Sequence, residues 1–203
     1  MNILISILIL VVSTLLWGLI HSLLASLQVK AWLSRKAGEK VMRFYRLAYN
    51  LFSVLTFLPI LWLAAILPDQ TLYVIRWPWL GLSLAGQLFA AILLGIGVFQ
   101  TGILDFTGLS ALVSTDPPES ARLTTGGLYR WVRHPLYSAG LLFIWLTPVM
   151  TINLLVIYTA ATVYIIVGAY YEERKLLREF GTEYARYQAS TPMLLPRWKR
   201  QKQ

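Results

Sequence analysis

Long apolar runs set the tightest limit on what this chain can become. A helix that crosses a bilayer takes about 20 predominantly apolar residues, and residues 3–25, 47–67 and 79–99 each supply such a run. A further run, 136–171, is 36 residues long. As one helix it would measure about 54 Å, against a hydrocarbon core of about 30 Å, so it is expected to fold back on itself. Thr147-Pro148 and Asn153 are the natural turn, because proline removes a helix donor and asparagine suits turns. The expected fold is all-α: a polytopic membrane helix bundle of about five transmembrane helices, the fourth short and forming a helical hairpin with the fifth.

Charge tests this count. Only 13% of the 203 residues are charged, about half the share of a soluble domain, near 25%. Lys30, Arg35, Lys36, Lys40, Arg43 and Arg46 lie between the first two runs; Arg122, Arg130 and Arg133 between the third and fourth. Arg174, Lys175, Arg178, Arg186, Arg197, Lys199, Arg200 and Lys202 follow the fifth, and Arg76 alone falls between the second and third. With five crossings, 17 of 18 basic residues share one side, which the positive-inside rule makes cytoplasmic. Four crossings would place the eight C-terminal charges outside. The expected topology is N-terminus out and C-terminus in, with a cytoplasmic C-terminal helical tail.

The net charge of +9 is then chiefly a topology signal, with attraction to anionic lipid headgroups worth about 1 kcal/mol per basic residue, and nucleic acid is not an expected partner. No cysteine is present, which excludes disulfides, thiolate metal sites and a cysteine nucleophile. The first run lacks a basic leader and a small-x-small cleavage pattern, so it reads as a span rather than a signal peptide. No repeat or low-complexity linker divides the chain, and residues 1–203 are expected to form one integral membrane domain.

Two stretches on the cytoplasmic side carry chemistry. The first is "GGLYRWVRHPLYSAG". Proline suits the first position of a helix and pushes the residue before it toward extended geometry, so the fourth span should begin at Pro135. Its free N–H groups and positive dipole end would suit a carboxylate or phosphate, with Arg133 and His134 adding donors on the same rim. Gly126 and Gly127 allow a sharp turn or a close approach. The plainer alternative is a helix end anchored in headgroups by Arg133, with His134 and the tyrosines as an interfacial belt.

The second is "EERKLLREFGTEYARYQASTPMLLP". Glu172 and Glu173 sit where the last span leaves the membrane, a costly place for adjacent carboxylates unless a cation pairs with them. Arg174 or Lys175 would serve as ordinary surface pairing; a cationic ligand is the alternative. Leu176, Leu177 and Phe180 continue an apolar helical face, Gly181 reads as its C-terminal cap, and Thr182 as the N-cap of a short helix carrying Tyr184 and Tyr187. A hairpin would set the His134 end beside the Glu172 end. Such a pocket fits a zwitterion bearing a ribose: S-adenosylmethionine has that shape, and other nucleotide-like ligands fit it too.

These blocks together resemble the isoprenylcysteine carboxyl methyltransferase and phospholipid methyltransferase superfamily of integral membrane enzymes. The likeness covers residues 123–196: an Arg-His-Pro-x-Tyr block, a helical hairpin, then Glu-Glu-x-x-Leu-x-x-x-Phe-Gly-x-x-Tyr-x-x-Tyr and a terminal proline. "HSLLAS", "FYRLAYN" and "TPVMTINLL" look like the branch that holds the methanethiol S-methyltransferases and the NnrU-type proteins. The resemblance implies methyl transfer from S-adenosylmethionine at the cytoplasmic leaflet, in a bacterial cytoplasmic membrane. By position it implies a cofactor site of Tyr129, Arg133, His134, Pro135, Tyr137, Glu172 and Glu173. Residues 120–200 would form the cofactor-binding core and 1–100, a three-helix part, the substrate side.

Displacement on a sulfonium methyl is in-line and takes no metal. A thiol acceptor would have to lose its proton, since the thiolate is the nucleophile. Of the two histidines, His134 lies on the cofactor rim. His21, an ionisable group inside the first span, is by default a functional candidate; the alternative is a structural hydrogen bond, for which Gln87 and Gln100 are available. Both histidines are candidate catalytic residues, and Arg46, Tyr49 and Asn50 candidate substrate residues. A small thiol, a lipid amine and a prenylated cysteine carboxylate all remain open as acceptors, with membrane lipid as the surrounding partner and no protein partner evident. Two other classes stand beside the enzyme: a non-enzymatic, NnrU-like or transporter-like accessory, and a lipid-binding structural protein. The absence of broken-helix repeats argues against a transporter.

Overall fold

The computed structural model describes residues 2–113 and 123–197, so Arg122, Lys199, Arg200 and Lys202 of the charge argument lie outside the described residues. The chain is an all-α membrane bundle. In order it forms α1 (Ile3–Ala25), α2 (Leu27–Arg43), α3 (Tyr45–Ile66), β1 (Thr71–Val74), α4 (Trp79–Gln100), α5 (Ile103–Thr107) and α6 (Ser110–Val113). A 3-10 turn (Gly127–Arg130) precedes α7 (Pro135–Trp145), β2 (Val149–Thr151), α8 (Ile152–Phe180) and α9 (Thr182–Ser190). Helices α1, α3, α4 and α8 are long and apolar enough to cross a membrane, and α7 is a shorter apolar helix. Large apolar side chains such as Leu15, Leu55, Leu88 and Val163 lie exposed along them. Their backbone polar groups bond within each helix, the condition for facing hydrocarbon.

The chain divides into two compact units. The first holds α1–α3, β1, α5, α6, β2 and the opening of α8. Its core is Leu10, Ile60, Leu67 and Ile157, with Trp17 and Phe57 packed against them. Ser26 ends α1 and starts α2: its hydroxyl donates to Leu23 O at 2.7 Å and accepts from Val29 N at 3.3 Å. The basic stretch after the first span is therefore largely helical rather than loop, broken only at Gly38, whose φ is 76°. Asn153 also departs from expectation. It is not in the turn but fully buried at the start of α8, where its Nδ2 donates to Ala64 O at 3.1 Å and Leu67 O at 3.3 Å. Those carbonyls belong to the end of α3, where intrahelical donors run out. The turn before Asn153 instead pairs β2 antiparallel with β1.

The second unit holds α4, α7, most of α8 and α9. With 11 residues, α7 is too short to span unaided, and α4 supports it closely. A Cβ on Gly86 would fall 2.6 Å from Leu146 Cδ1, and one on Gly97 would fall 2.7 Å from Leu136 Cδ2; small residues let the helices approach. The last carbonyls of α7 find donors on α4, Gln87 Nε2 to Phe143 O at 3.1 Å and Ser83 Oγ to Leu146 O at 2.5 Å. Trp145 Nε1 donates to Thr162 Oγ1 at 2.9 Å at one end, and Tyr137 OH to Glu172 Oε2 at 2.9 Å at the other. Helices α7 and α8 thus run antiparallel, as the expected hairpin requires.

Candidate active site

Pro135 occupies the first turn of α7 and His134 is the residue before it, at φ −122° and ψ 67°. The approach to this helix is fixed from α4. Gly127, at φ +57°, lies against the Gln100 side-chain amide, leaving no room for a Cβ, and Gln100 Oε1 accepts from Leu128 N at 3.1 Å. The close approach that the glycine pair permits is therefore to Gln100.

The tail returns to the same place. Helix α8 ends at Phe180, and Gly181 turns the chain at φ 54°, its N–H donating to Leu177 O at 3.0 Å. Gly181 rather than Thr182 is the residue before α9. Beyond α9, Pro192 O accepts from Arg133 N at 2.9 Å and Met193 O from His134 N at 3.1 Å. Ser138 Oγ donates to Leu194 O at 2.6 Å. The backbone donors of the two residues just before α7 are thus met by backbone acceptors of the tail.

Between these segments lies a cluster of charge. Arg133 Nε meets Glu173 Oε1 at 2.6 Å, and His134 Nε2 lies 3.2 Å from the same oxygen. Gln188 Nε2 donates to Glu173 Oε2 at 2.8 Å. Arg133 Nη1 donates to the carbonyl of Gln188 at 3.0 Å and to that of Thr191. Both oxygens of Glu173 therefore hold protein partners, and its side chain is only 7% exposed. Its neighbour differs. The Glu172 side chain is 45% exposed; it accepts from Tyr137 OH and lies 3.7 Å from His134 Nδ1. The His134 ring sits between the two carboxylates and stacks on Tyr137, with centroids 5.2 Å apart. Glu173 ties the site together, while Glu172 presents a carboxylate with room for another partner. Arg174, one expected surface partner, lies over the Tyr170 ring instead.

Three tyrosines complete the cluster. Tyr187 OH donates to Tyr129 O at 2.6 Å. Burial, with the charge of Glu172 adding, raises the Tyr129 phenol above its ordinary value. Burial above all pushes Tyr184 and Tyr187 up to about 12. All three stay neutral hydrogen-bonding groups near neutral pH. Gln188, Ser138 and the carbonyls of 191–194 are parts of this site that the sequence does not announce; their only signal is the Gly181 turn that brings them back.

The remaining candidates belong to the first unit. His21 Nδ1 lies 2.9 Å from Ser53 Oγ and its Nε2 2.5 Å from Tyr49 OH, while its ring stacks on Trp17 at 4.7 Å. Its partners are thus on α3, whereas Gln87 and Gln100 serve α7 and the 3-10 turn. Arg46 Nη1 donates to Asp105 O at 2.7 Å, and Asn50 Nδ2 to Phe106 O at 3.1 Å and Thr107 O at 3.0 Å. These are the end carbonyls of α5, where a cation and an amide are well placed. Gly108 follows at φ +83°, and a Cβ there would lie 2.5 Å from Leu47 N. Arg46 and Asn50 fasten α5 to α3.

The sequence model of the phospholipid methyltransferase family matches residues 79–183, from α4 through the Glu172-Glu173 pair. The chain is 31% identical over 192 residues to methanethiol S-methyltransferase 1 of Bradyrhizobium diazoefficiens, covering 91% of this chain and 65% of that one. It is 29% identical over 197 residues to the methanethiol S-methyltransferase of Crocosphaera subtropica (89% and 71%). Against methanethiol S-methyltransferase 2 of B. diazoefficiens it is 33% identical over 188 residues (90% and 70%). The chain spans slightly less than two thirds of the first of these relatives. No solved structure matches the chain.

Proposed function

The chain belongs to the phospholipid methyltransferase family, and from that premise we propose that it is a multi-pass membrane methyltransferase that uses S-adenosylmethionine to methylate a small thiol of the methanethiol class. The observation that carries this reading is the meeting of Arg133, His134 and Tyr137 with Glu172 and Glu173. The donor set suits the ligand. A half-exposed carboxylate suits a cation or a ribose diol, neutral phenols donate to oxygen, and a stacked His134–Tyr137 pair offers an aromatic face.

In this reading Glu172 touches the donor molecule, and the start of α7 at Pro135, with Tyr129 and Tyr137, forms its walls. Arg133 and Glu173 are positioning residues that hold the tail against α7. His134, locked between the carboxylates, orients the ligand. S-adenosylmethionine supplies an electrophilic sulfonium methyl. The protein's part is to exclude water and hold the two reactants in line at about 3–3.5 Å. A thiol must first lose its proton; His21, its ring fixed by Ser53 and Tyr49 in the first unit, is retained as a proposed catalytic residue of the substrate side. Residues 1–100 are assigned to the substrate side, and Arg46, Tyr49 and Asn50 support it by shaping α3 and α5.

The proposed topology has five crossings with the N-terminus out, the C-terminus in and the site at the cytoplasmic face of a bacterial membrane. The test is a labelled-methyl assay on purified protein with methanethiol, phospholipid and prenylated-cysteine acceptors. Label recovered as volatile dimethyl sulfide supports the thiol reading. Label in the lipid fraction overturns the thiol, and no transfer to any acceptor, with no binding of S-adenosylmethionine, overturns the enzyme.

A further inference from the structure

Tyr184 and Tyr187 lie one helical turn apart on α9, their rings edge-to-face at 5.9 Å, yet their hydroxyls are treated differently. That of Tyr187 donates to Tyr129 O. That of Tyr184, on a residue only 1% exposed, has no hydrogen-bond partner among the described residues. A buried hydroxyl in this state has given up its bonds to water without replacement, which is rare in native structures and points to a missing partner. Among the described residues the other buried side-chain oxygens left unpartnered are on Ser6 and Asn153, in the first unit; that of Tyr184 shares a unit with Glu172 and Glu173.

Its surroundings specify the kind of partner. The charges that act on the phenol are those of Glu173, Arg133 and Glu172, the groups that build the candidate site. Its helix is held one turn further on, by Tyr187 on Tyr129 and by Gln188 on Glu173, and the Tyr184 ring itself is packed in with 1% exposure. With its proton retained far above neutral pH, the group acts as a donor to an oxygen.

Building on the function proposed above, we propose that the Tyr184 hydroxyl hydrogen-bonds an oxygen of the bound methyl donor, making Tyr184 a ligand-binding residue that completes the site only when it is filled.

The test is the affinity for S-adenosylhomocysteine, measured by calorimetry on the purified full chain, with thermal midpoints taken without ligand. Tyr184→Phe removes only the orphan oxygen. Its unliganded midpoint is expected to equal or exceed that of the unaltered protein, and its Kd to rise about three- to tenfold, the worth of one neutral hydrogen bond. Tyr187→Phe is the contrast: it loses a bond seen in the protein, so its unliganded midpoint falls. An unchanged Kd for Tyr184→Phe, or an unliganded midpoint that drops as for Tyr187→Phe, overturns the assignment. Failure of the unaltered protein to bind would remove the donor site as well, so the two ideas fail in distinguishable ways.

Discussion

Arg133 and Glu173 meet at 2.6 Å across 40 residues of sequence, and both side chains are more than nine-tenths buried. Removing one member of such a pair strands the other charge, at a cost of about 3–5 kcal/mol. Glu173→Ala should therefore lower the thermal midpoint in detergent sharply and abolish binding of the donor through loss of structure. Glu172→Ala, at the exposed neighbour, loses only the bond from Tyr137, so it should lower the midpoint far less than Glu173→Ala and weaken binding of S-adenosylhomocysteine about tenfold, the worth of a charged hydrogen bond. Equal effects of the two substitutions in both assays would refute the division of labour.

The α5 clamp offers a second test, away from the charged cluster. Asn50→Ala leaves two partly exposed carbonyls without their donor, and the expected destabilisation is about 0.5–1.5 kcal/mol. Gly108→Ala must tolerate a φ of +83° and a Cβ 2.5 Å from Leu47 N, so it should cost more than 1 kcal/mol. Thermal midpoints in one detergent check both. A Gly108→Ala chain as stable as the original would mean that the contact with α3 is not kept.

Alkaline pH should loosen the tail. Tyr187 ionises near pH 10 when unfolded and at about 12 when folded, so the folded state holds its proton longer. Its contribution to stability is complete below about pH 10 and disappears as pH rises toward about 12; Tyr184 acts in the same window and in the same sense. Thermal midpoints between pH 9 and 12 should fall for the unaltered protein and fall less for Tyr187→Phe. Parallel curves for the two would contradict the assignment.

The absence of cysteine makes topology directly measurable. Single cysteines at Lys36 and Arg186 should react with an impermeant maleimide only after the inner face is exposed, and one at Arg76 should react in intact cells. Labelling of 186 together with 76 would mean an even number of crossings.

Much of this fold was legible because length against bilayer thickness is a hard constraint. The 3–25 run and α1 coincide, and Pro135 stands in the first turn of α7. The meeting of loop and tail was legible from the hairpin. What could not be read was decided by neighbours. The basic residues from Lys30 to Arg43 signal sidedness, not conformation, so α2 was hidden behind its charge. Asn153 has turn chemistry, but α3 ends beside it with carbonyls that need donors. Glu172 and Glu173 look equivalent in sequence, yet successive helix residues point about 100° apart. One therefore faces Arg133 and Gln188, and the other is left half open.

The backbone bonds from Arg133 to Pro192 and from His134 to Met193 also separate what embeds the chain from what shapes the candidate site. None of the apolar helices includes residues 192–194. A chain cut after Ser190 would keep those helices and lose the acceptors of Arg133 and His134, so it would reach the membrane with that rim unfastened.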